Sequence, residues 1–266
     1  MATRNPRRTP RTRPAEAGPV ADPGEAAFLE AYDPGRYERP SVAVDVVLLT
    51  AEEDALRTLL VRREGHPHQG RWALPGVFVG LQEPLEAAAA RALREKAGLT
   101  GLFLEQLYTF GDPRRDPRTR VLSVAHVALV DGARFRAAGA AAGERGLAVG
   151  ELEVPWEGET GGPVEVRAAG KPLPLAFDHA EILGMAVKRL RGKLDYTPIG
   201  FQLLPETFTL LELQRVHETV LGRPVNKDSF RRRMLASGQL EATGESQTGV
   251  GHRPAELYRF ARRSAL

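Results

Sequence analysis

The apolar positions change period several times along the chain, and each change predicts an element. Residues 41–50 (SVAVDVVLLT) are β-branched and mostly apolar, which predicts a central sheet strand. Residues 56–62 predict a second strand, and the polar stretch 51–54 makes the pair a hairpin. A loop at 65–70 leads to residues 72–99, WALPGVFVGLQEPLEAAAARALREKAGL. There a Leu-Pro-Gly turn precedes an alanine-rich stretch, 88–97, of high helix propensity. Leu85, Ala88, Ala89, Ala92 and Leu93 fall on neighbouring turns, and Gly98 is placed to end the helix. Strands are expected at 102–110 and 120–130, around a charged loop, GDPRRDPRTR. Residues 131–174 are rich in Gly, Ala and Glu; the pattern there offers strands at 147–154 and 163–167, and Pro172 and Pro174 mark a boundary.

Beyond that boundary the period is helical. Residues 178–190 carry the stripe Ile182, Leu183, Ala186, Val187 and Leu190, with Asp178 as the expected cap. Thr209 and Glu212 have capping-box spacing before a helix that ends near Gly222. A further helix is expected at 226–237, with Phe230, Met234 and Leu235 toward the core, then a two-stranded hairpin at 240–243 and 257–260. Helix, helix, hairpin is the order of a winged helix-turn-helix.

A length of 266 residues suits two domains, and 42% apolar residues can fill their cores. With no cysteine, disulfides and thiolate metal sites are excluded. No run of about 18 apolar residues predicts a membrane span, and the N-terminus lacks a secretory apolar run, so the cytoplasm is the expected location. Residues 1–24 have no apolar period and are expected to be a disordered tail, with a short lead-in helix and turn at 26–39. A net charge of +3 says little about nucleic acid, but arginines cluster at 4, 7, 8, 11 and 13 and again at 231–233. Such clusters usually serve solubility; they become a nucleic-acid footprint only on a suitable element. His66 and His68 have no acids beside them that would make a metal pair, and read as surface loop residues.

A diphosphate-hydrolysing site needs several carboxylates on one helix to share divalent ions. The stretch ending at Gly98 resembles the Nudix box: Gly, five residues, Glu, seven residues, then Arg-Glu-apolar-any-Glu-Glu-any-Gly-apolar. Anchored on Gly98 and Leu99, the alignment matches Glu83, Arg91, Leu93 and Glu95, while Val77, Ala92 and Lys96 depart from it. Positions 92 and 96 share a helix face, where the family presents an acid pair to metal. Here one acid is a methyl group and the other an ammonium that opposes Mg²⁺ and suits a phosphate. The expectation is a site that binds a nucleotide diphosphate and hydrolyses it slowly or not at all. It has no catalytic residue and no required cofactor; Glu83 and Glu95 are the residual candidates for metal, and Mg²⁺ matters only if hydrolysis survives.

The resemblance extends over most of residues 37–260. YERPSVAVDVVLLT, YTFGDPRRDPRTRVLSVAHVAL, LAFDHAEIL, LLPETFTLLELQRVHETVLG, NKDSFRRRML and RPAELYRF are similar to the Nudix-related transcriptional regulators of NAD metabolism, the NrtR-like proteins. That implies an α/β Nudix fold, a mixed sheet flanked by helices, followed by a winged helix-turn-helix domain. The expected limits are 1–36 for tail and lead-in, 37–174 for the ligand-binding domain and 175–266 for the DNA-binding domain. It further implies a homodimer that binds double-stranded operator DNA of NAD-biosynthesis or related genes, represses them, and senses ADP-ribose or a related nucleotide. Lys227, Arg231, Arg232 and Arg233 are the candidate DNA contacts on the recognition helix, with His252 and Arg253 at the wing. Successive helix positions differ by about 100°, so the three arginines cannot all point one way. Arg62, Arg63, Arg94, Lys96 and Arg118 are the candidate cations for the nucleotide, Phe110 a candidate base-stacking ring, and Arg91 a partner for Glu95. The alternative is a Nudix hydrolase of ADP-ribose or a related nucleoside diphosphate derivative, whose C-terminal domain only packs or dimerises; a regulator that has lost nucleotide sensing is a third reading.

Overall fold

The computed structural model describes residues 23–140, 146–249 and 254–261. The expected tail lies almost wholly outside them. The first unit ends at Arg39. Within it, α1 (Pro23–Ala31) is followed by a single 3-10 turn at Pro34–Arg36, capped by Asp33 on the Gly35 N–H.

The second unit, Pro40–Leu266, begins with a hairpin of β1 (Ser41–Glu52) and β2 (Ala55–Arg62). Glu53 and Asp54 both take positive φ (51° and 59°), the geometry of a two-residue hairpin turn that follows strand twist. Two short strands, β3 (Trp72–Ala73) and β4 (Gly76–Phe78), pair with β2 and β1. Helix α2 (Leu85–Ala97) ends on Gly98 at φ 70°, whose N–H returns to Arg94 and Leu93 carbonyls. Then come β5 (Phe103–Phe110), β6 (Val121–Leu129), α3 (Gly132–Ala140), β7 (Leu147–Glu153), β8 (Glu165–Ala168) and β9 (Lys171–Pro172). The sheet order is β5-β6-β1-β2-β7-β8-β9, with β1 and β6 parallel and the other pairs antiparallel. The expected mixed sheet is therefore present. Helix α3 was not foreseen: in GARFRAAGA only Phe135 and Ala138 are buried, too few to show a period.

β1 is buried on both faces. Val46 and Leu48 pack with Ala89, Ala92 and Leu93 of α2 and Phe135 of α3. Val47 and Leu49 face the other way, toward α4 (His179–Leu194). That helix fell on the C-terminal side of the expected boundary at 174, yet Ile182, Leu183 and Ala186 join the core of the sheet. Asp178 precedes α4 but makes no capping hydrogen bond, because its carboxylate is taken by Arg115.

A 3-10 segment, Pro198–Leu203, leads into β10 (Thr207–Phe208), α5 (Leu210–Leu221), α6 (Lys227–Ala236), β11 (Leu240–Ser246) and β12 (Glu256–Phe260). The capping box forms as expected: Thr209 Oγ1 accepts from Glu212 N and Glu212 Oε2 accepts from Thr209 N. The expected hairpin is a three-stranded sheet, β10-β12-β11, since β10 pairs with β12. Phe230 and Met234 of α6 are buried, but Leu235 is exposed rather than in the core. The apolar core runs without a break from the sheet through α4 and α5 to Phe230 and Tyr258. Among the described residues no helix is long and apolar enough to cross a membrane.

Candidate ligand cleft and nucleic-acid interface

Two adjoining cavities, of about 560 and about 170 Å³, share Arg63, Ala73, Leu74 and Gly76 in their walls. The Leu-Pro-Gly turn makes their floor. Gly76 lies opposite Asp45 on β1, and a Cβ there would stand 2.3 Å from Asp45 Oδ1 and 2.9 Å from the Val44 carbonyl, so only glycine fits. Trp72 exchanges backbone hydrogen bonds with Pro174 and Ala176, which brings Phe177, Asp178 and His179 to the same place.

The loop between β5 and β6 repeats Asp-Pro-Arg, and each aspartate accepts the N–H two residues on: Asp112 from Arg114 at 2.7 Å, Asp116 from Arg118 at 3.0 Å. These turns send Arg115 inward. Its guanidinium is bidentate on Asp178 (2.8 and 2.7 Å) and lies 3.5 Å from Asp45. Asp45 also accepts from Ser123 Oγ at 2.6 Å, and His179 Nε2 stands 3.7 Å from its other oxygen. His179 Nδ1 accepts the Leu74 N–H at 2.9 Å, so a neutral ring carries its proton on Nε2, toward Asp45. Burial pushes the His179 pKa down, which favours that neutral form. None of Asp45, Arg115, Phe177, Asp178 or His179 was among the candidate site residues. The signal for one of them was present: Asp45 is a lone charge inside an apolar strand.

Of the candidate ligand residues, Arg62, Arg63 and Lys96 line the larger cavity and Arg63 and Arg118 the smaller. Arg94 is not part of either wall; its side chain is 57% exposed and lies 3.9 Å from Glu95. Phe110 also stands away from both, half-buried against the core and edge-on to Tyr108. The phenylalanines that do line the cleft are Phe78 and Phe177.

The box helix keeps the register anchored on Gly98, but its first glutamate has another task. Arg91 holds both Glu83 oxygens at 2.7 Å and also donates to the Phe78 carbonyl. That pairing, with the Gly80 N–H, holds the Glu83 carboxyl down at about 2. Arg91 lies farther from Glu95, at 3.6 Å, so its main partner is Glu83. Ala92 is fully buried in the core. Nudix chemistry implies a divalent metal, and these residues do not fit one. Glu83 is bound by a guanidinium, Lys96 brings a cation, and among the described residues no group of three His, Asp or Glu is placed to hold an ion.

At the other end of the unit, Asn226 Oδ1 caps α6 by accepting from Ser229 N. Phe230 packs edge-on to His217 of α5, at 4.9 Å between ring centres. Lys227, Arg231 and Arg232 are exposed and have no ion pair among the described residues. Arg233 points differently: it lies over Phe230 and 3.3 Å from Asp195, beyond the end of α4. His252 and Arg253 lie outside the described residues.

Residues 200–260 match the family model of the NrtR DNA-binding winged helix domain, and residues 39–151 match the NUDIX domain. The chain is 37% identical over 239 residues to the "ADPR responsive transcriptional repressor NtrR" of Acinetobacter baylyi, covering 89% of this chain and 88% of that one. It belongs to the NrtR family. A crystal structure of Shewanella oneidensis NrtR complexed with a 27mer DNA superposes with a TM-score of 0.68 and 34% identity, over 82% of this chain and 93% of that one. An ADP-ribose pyrophosphatase of Methanocaldococcus jannaschii is 37% identical over 101 residues, 38% of this chain and 57% of that protein. The expected architecture, a Nudix domain followed by a winged helix, is thereby established. Between the two matched segments lie β8, β9 and α4, the helix that carries Asp178 and His179 at its start.

Proposed function

We propose that the chain is an ADP-ribose-responsive transcriptional repressor, which acts in the cytoplasm as a homodimer on operator DNA of NAD-biosynthesis or related genes. One observation carries this reading. A cleft lined by Arg62, Arg63, Lys96 and Arg118 shares a continuous core with a winged helix whose Arg231 and Arg232 have no ion pairs among the described residues. The first collects positive charge suited to a diphosphate; the second offers guanidinium groups to phosphates and base edges. The names of the Acinetobacter and Shewanella relatives agree with both halves. The test is the affinity of the purified protein for DNA upstream of its own gene and of NAD-biosynthesis genes, at fixed salt, with and without ADP-ribose. Sequence-selective binding that ADP-ribose weakens is the expected result; selective binding indifferent to ADP-ribose rejects the sensing half, and no selective binding rejects these genes as targets.

The cleft holds the nucleotide without cleaving it. Ala92 and Lys96 stand where the box requires acids, and Glu83 is committed to Arg91. Mg²⁺-dependent turnover of ADP-ribose by the purified protein, at rates ordinary for an enzyme, would overturn this in favour of the hydrolase reading.

A further inference from the structure

Two guanidinium groups approach one aromatic ring in the cleft. Arg63 lies 4.7 Å from the centre of Phe177 and Arg118 lies 5.9 Å from it. Their electrostatic situations differ. Arg118 is bidentate on Asp116, at 3.0 and 2.7 Å. Arg63 donates through Nε to the Pro67 carbonyl at 2.7 Å and has no carboxylate within ion-pair distance among the described residues. It lines both cavities, and burial, with the nearby Arg118, pushes its pKa down against the pull of Asp116 and Asp45. Phe177 itself is held at φ 51°, where a bulky residue is strained, with His68 edge-on at 4.8 Å. Strain of this kind persists where surrounding structure imposes it, and here it aims a ring at an arginine.

We propose that Arg63 is the residue that selects a diphosphate in this cleft, acting with Lys96 of the same cavity lining, and that Phe177 is its positioning residue. This rests on the reading of the cleft as the ADP-ribose site. The planar fork of Arg63 supplies parallel N–H donors to the bridging pair of phosphates, and the anion relieves the repulsion between Arg63 and Arg118. A nucleoside without phosphates gains nothing from that contact. Arg118, already neutralised by Asp116, contributes less.

The experiment is calorimetric titration of the full chain with ADP-ribose, inorganic pyrophosphate and adenosine. The proteins are the parent and the Arg63→Gln, Arg63→Lys and Phe177→Leu variants. Arg63→Gln is expected to lose about 10- to 100-fold in affinity for ADP-ribose and pyrophosphate, the size of one charge-assisted contact, with adenosine unchanged. Arg63→Lys keeps the charge without the fork and falls between. Phe177→Leu weakens ADP-ribose by a smaller factor, with pyrophosphate affected in proportion. Equal binding of ADP-ribose to the parent and Arg63→Gln overturns the assignment, and so does an equal loss of all three probes, which would make Arg63 a structural residue. If the parent binds pyrophosphate but not ADP-ribose, the ligand reading fails while the role of Arg63 stands or falls on pyrophosphate alone. If the parent binds neither, both are overturned.

Discussion

Helix α4 spans 16 residues, about 24 Å, and a buried arginine stands at each end of it. At the start, Arg115 meets carboxylates, Asp178 and Asp45. In the last turns, Arg191 meets only carbonyls: Val220 at 2.8 Å through Nε, and Trp156 and Gly158 at 3.1 Å through Nη1. Its guanidinium also stacks 4.9 Å from the Trp156 ring centre. The first arginine ties the charged wall of the cleft to α4. The second ties α4 to the last turn of α5, the helix before the recognition helix. A carbonyl at a helix C-terminus carries partial negative charge, which suits a cation without a formal counter-ion. The two ends are thus held by different physics, one by charge pairing and the other by hydrogen bonds to neutral groups.

Removing the two arginines should separate those mechanisms. Arg115→Met strands the buried Asp45 and the half-buried Asp178, and breaking such a pair costs about 3–5 kcal/mol of stability. Urea denaturation at pH 7.5 should show a loss of that size. A loss below about 1 kcal/mol would mean that Arg115 does not hold the two carboxylates as a buried pair.

Arg191→Met leaves only neutral carbonyls behind. Its expected cost is smaller, about 1.5–3 kcal/mol, the scale of hydrogen bonds to a charged group. It should be the same at pH 7.5 and at pH 5.5, since no carboxylate is released. A pH-dependent loss here would show that a distant acid balances Arg191, and the contrast between the two ends would collapse.

Much of this scaffold is legible in the sequence, and the reasons are local. The β-branched run of β1, the Thr209–Glu212 capping box and Gly98 each announce their element through short-range chemistry. The Nudix-box register also holds, because Gly98 ends α2 and Leu93 is buried. What sequence pattern did not reveal is what topology assembles. Asp45 and Ser123 are 78 residues apart, and Arg115 and Asp178 are 63 apart. Each looks ordinary in its own segment; Asp178 even reads as a helix cap. Helix α4 has a plain amphipathic stripe, which says that it packs but not against what, so the pattern alone places a domain boundary at Pro174. Among the cleft cations, Arg62, Arg63, Lys96 and Arg118 are recoverable from charge and from their place in or beside the box and the loops. Phe177 was not, because its role depends on the backbone conformation of a single residue.

A subtler contrast lies in two buried histidines, one at each end of the same core. His179 accepts the Leu74 N–H, whereas His217 sets Nδ1 2.9 Å from the Leu213 carbonyl and packs on Phe230. Burial lowers the pKa of both. The unfolded chain then binds more protons than the folded one below about 6.5, so stability should fall as pH drops through that value. Each histidine can contribute a slope of at most about 1.4 kcal/mol per pH unit. His217→Leu removes its share while keeping the contact with Phe230 apolar, so its stability should approach or exceed that of the parent as pH falls from 7.5 to 5.5. His179→Leu removes a similar share of slope but leaves the Leu74 N–H without its acceptor, a cost of about 1–3 kcal/mol that should already be visible at pH 7.5. Urea titrations of the parent and both variants at three pH values decide the matter. If His217→Leu retains the full acid slope, the titrating group is elsewhere. If His179→Leu costs nothing at pH 7.5, the Leu74 N–H has found another partner and the histidine is not what closes the floor of the cleft.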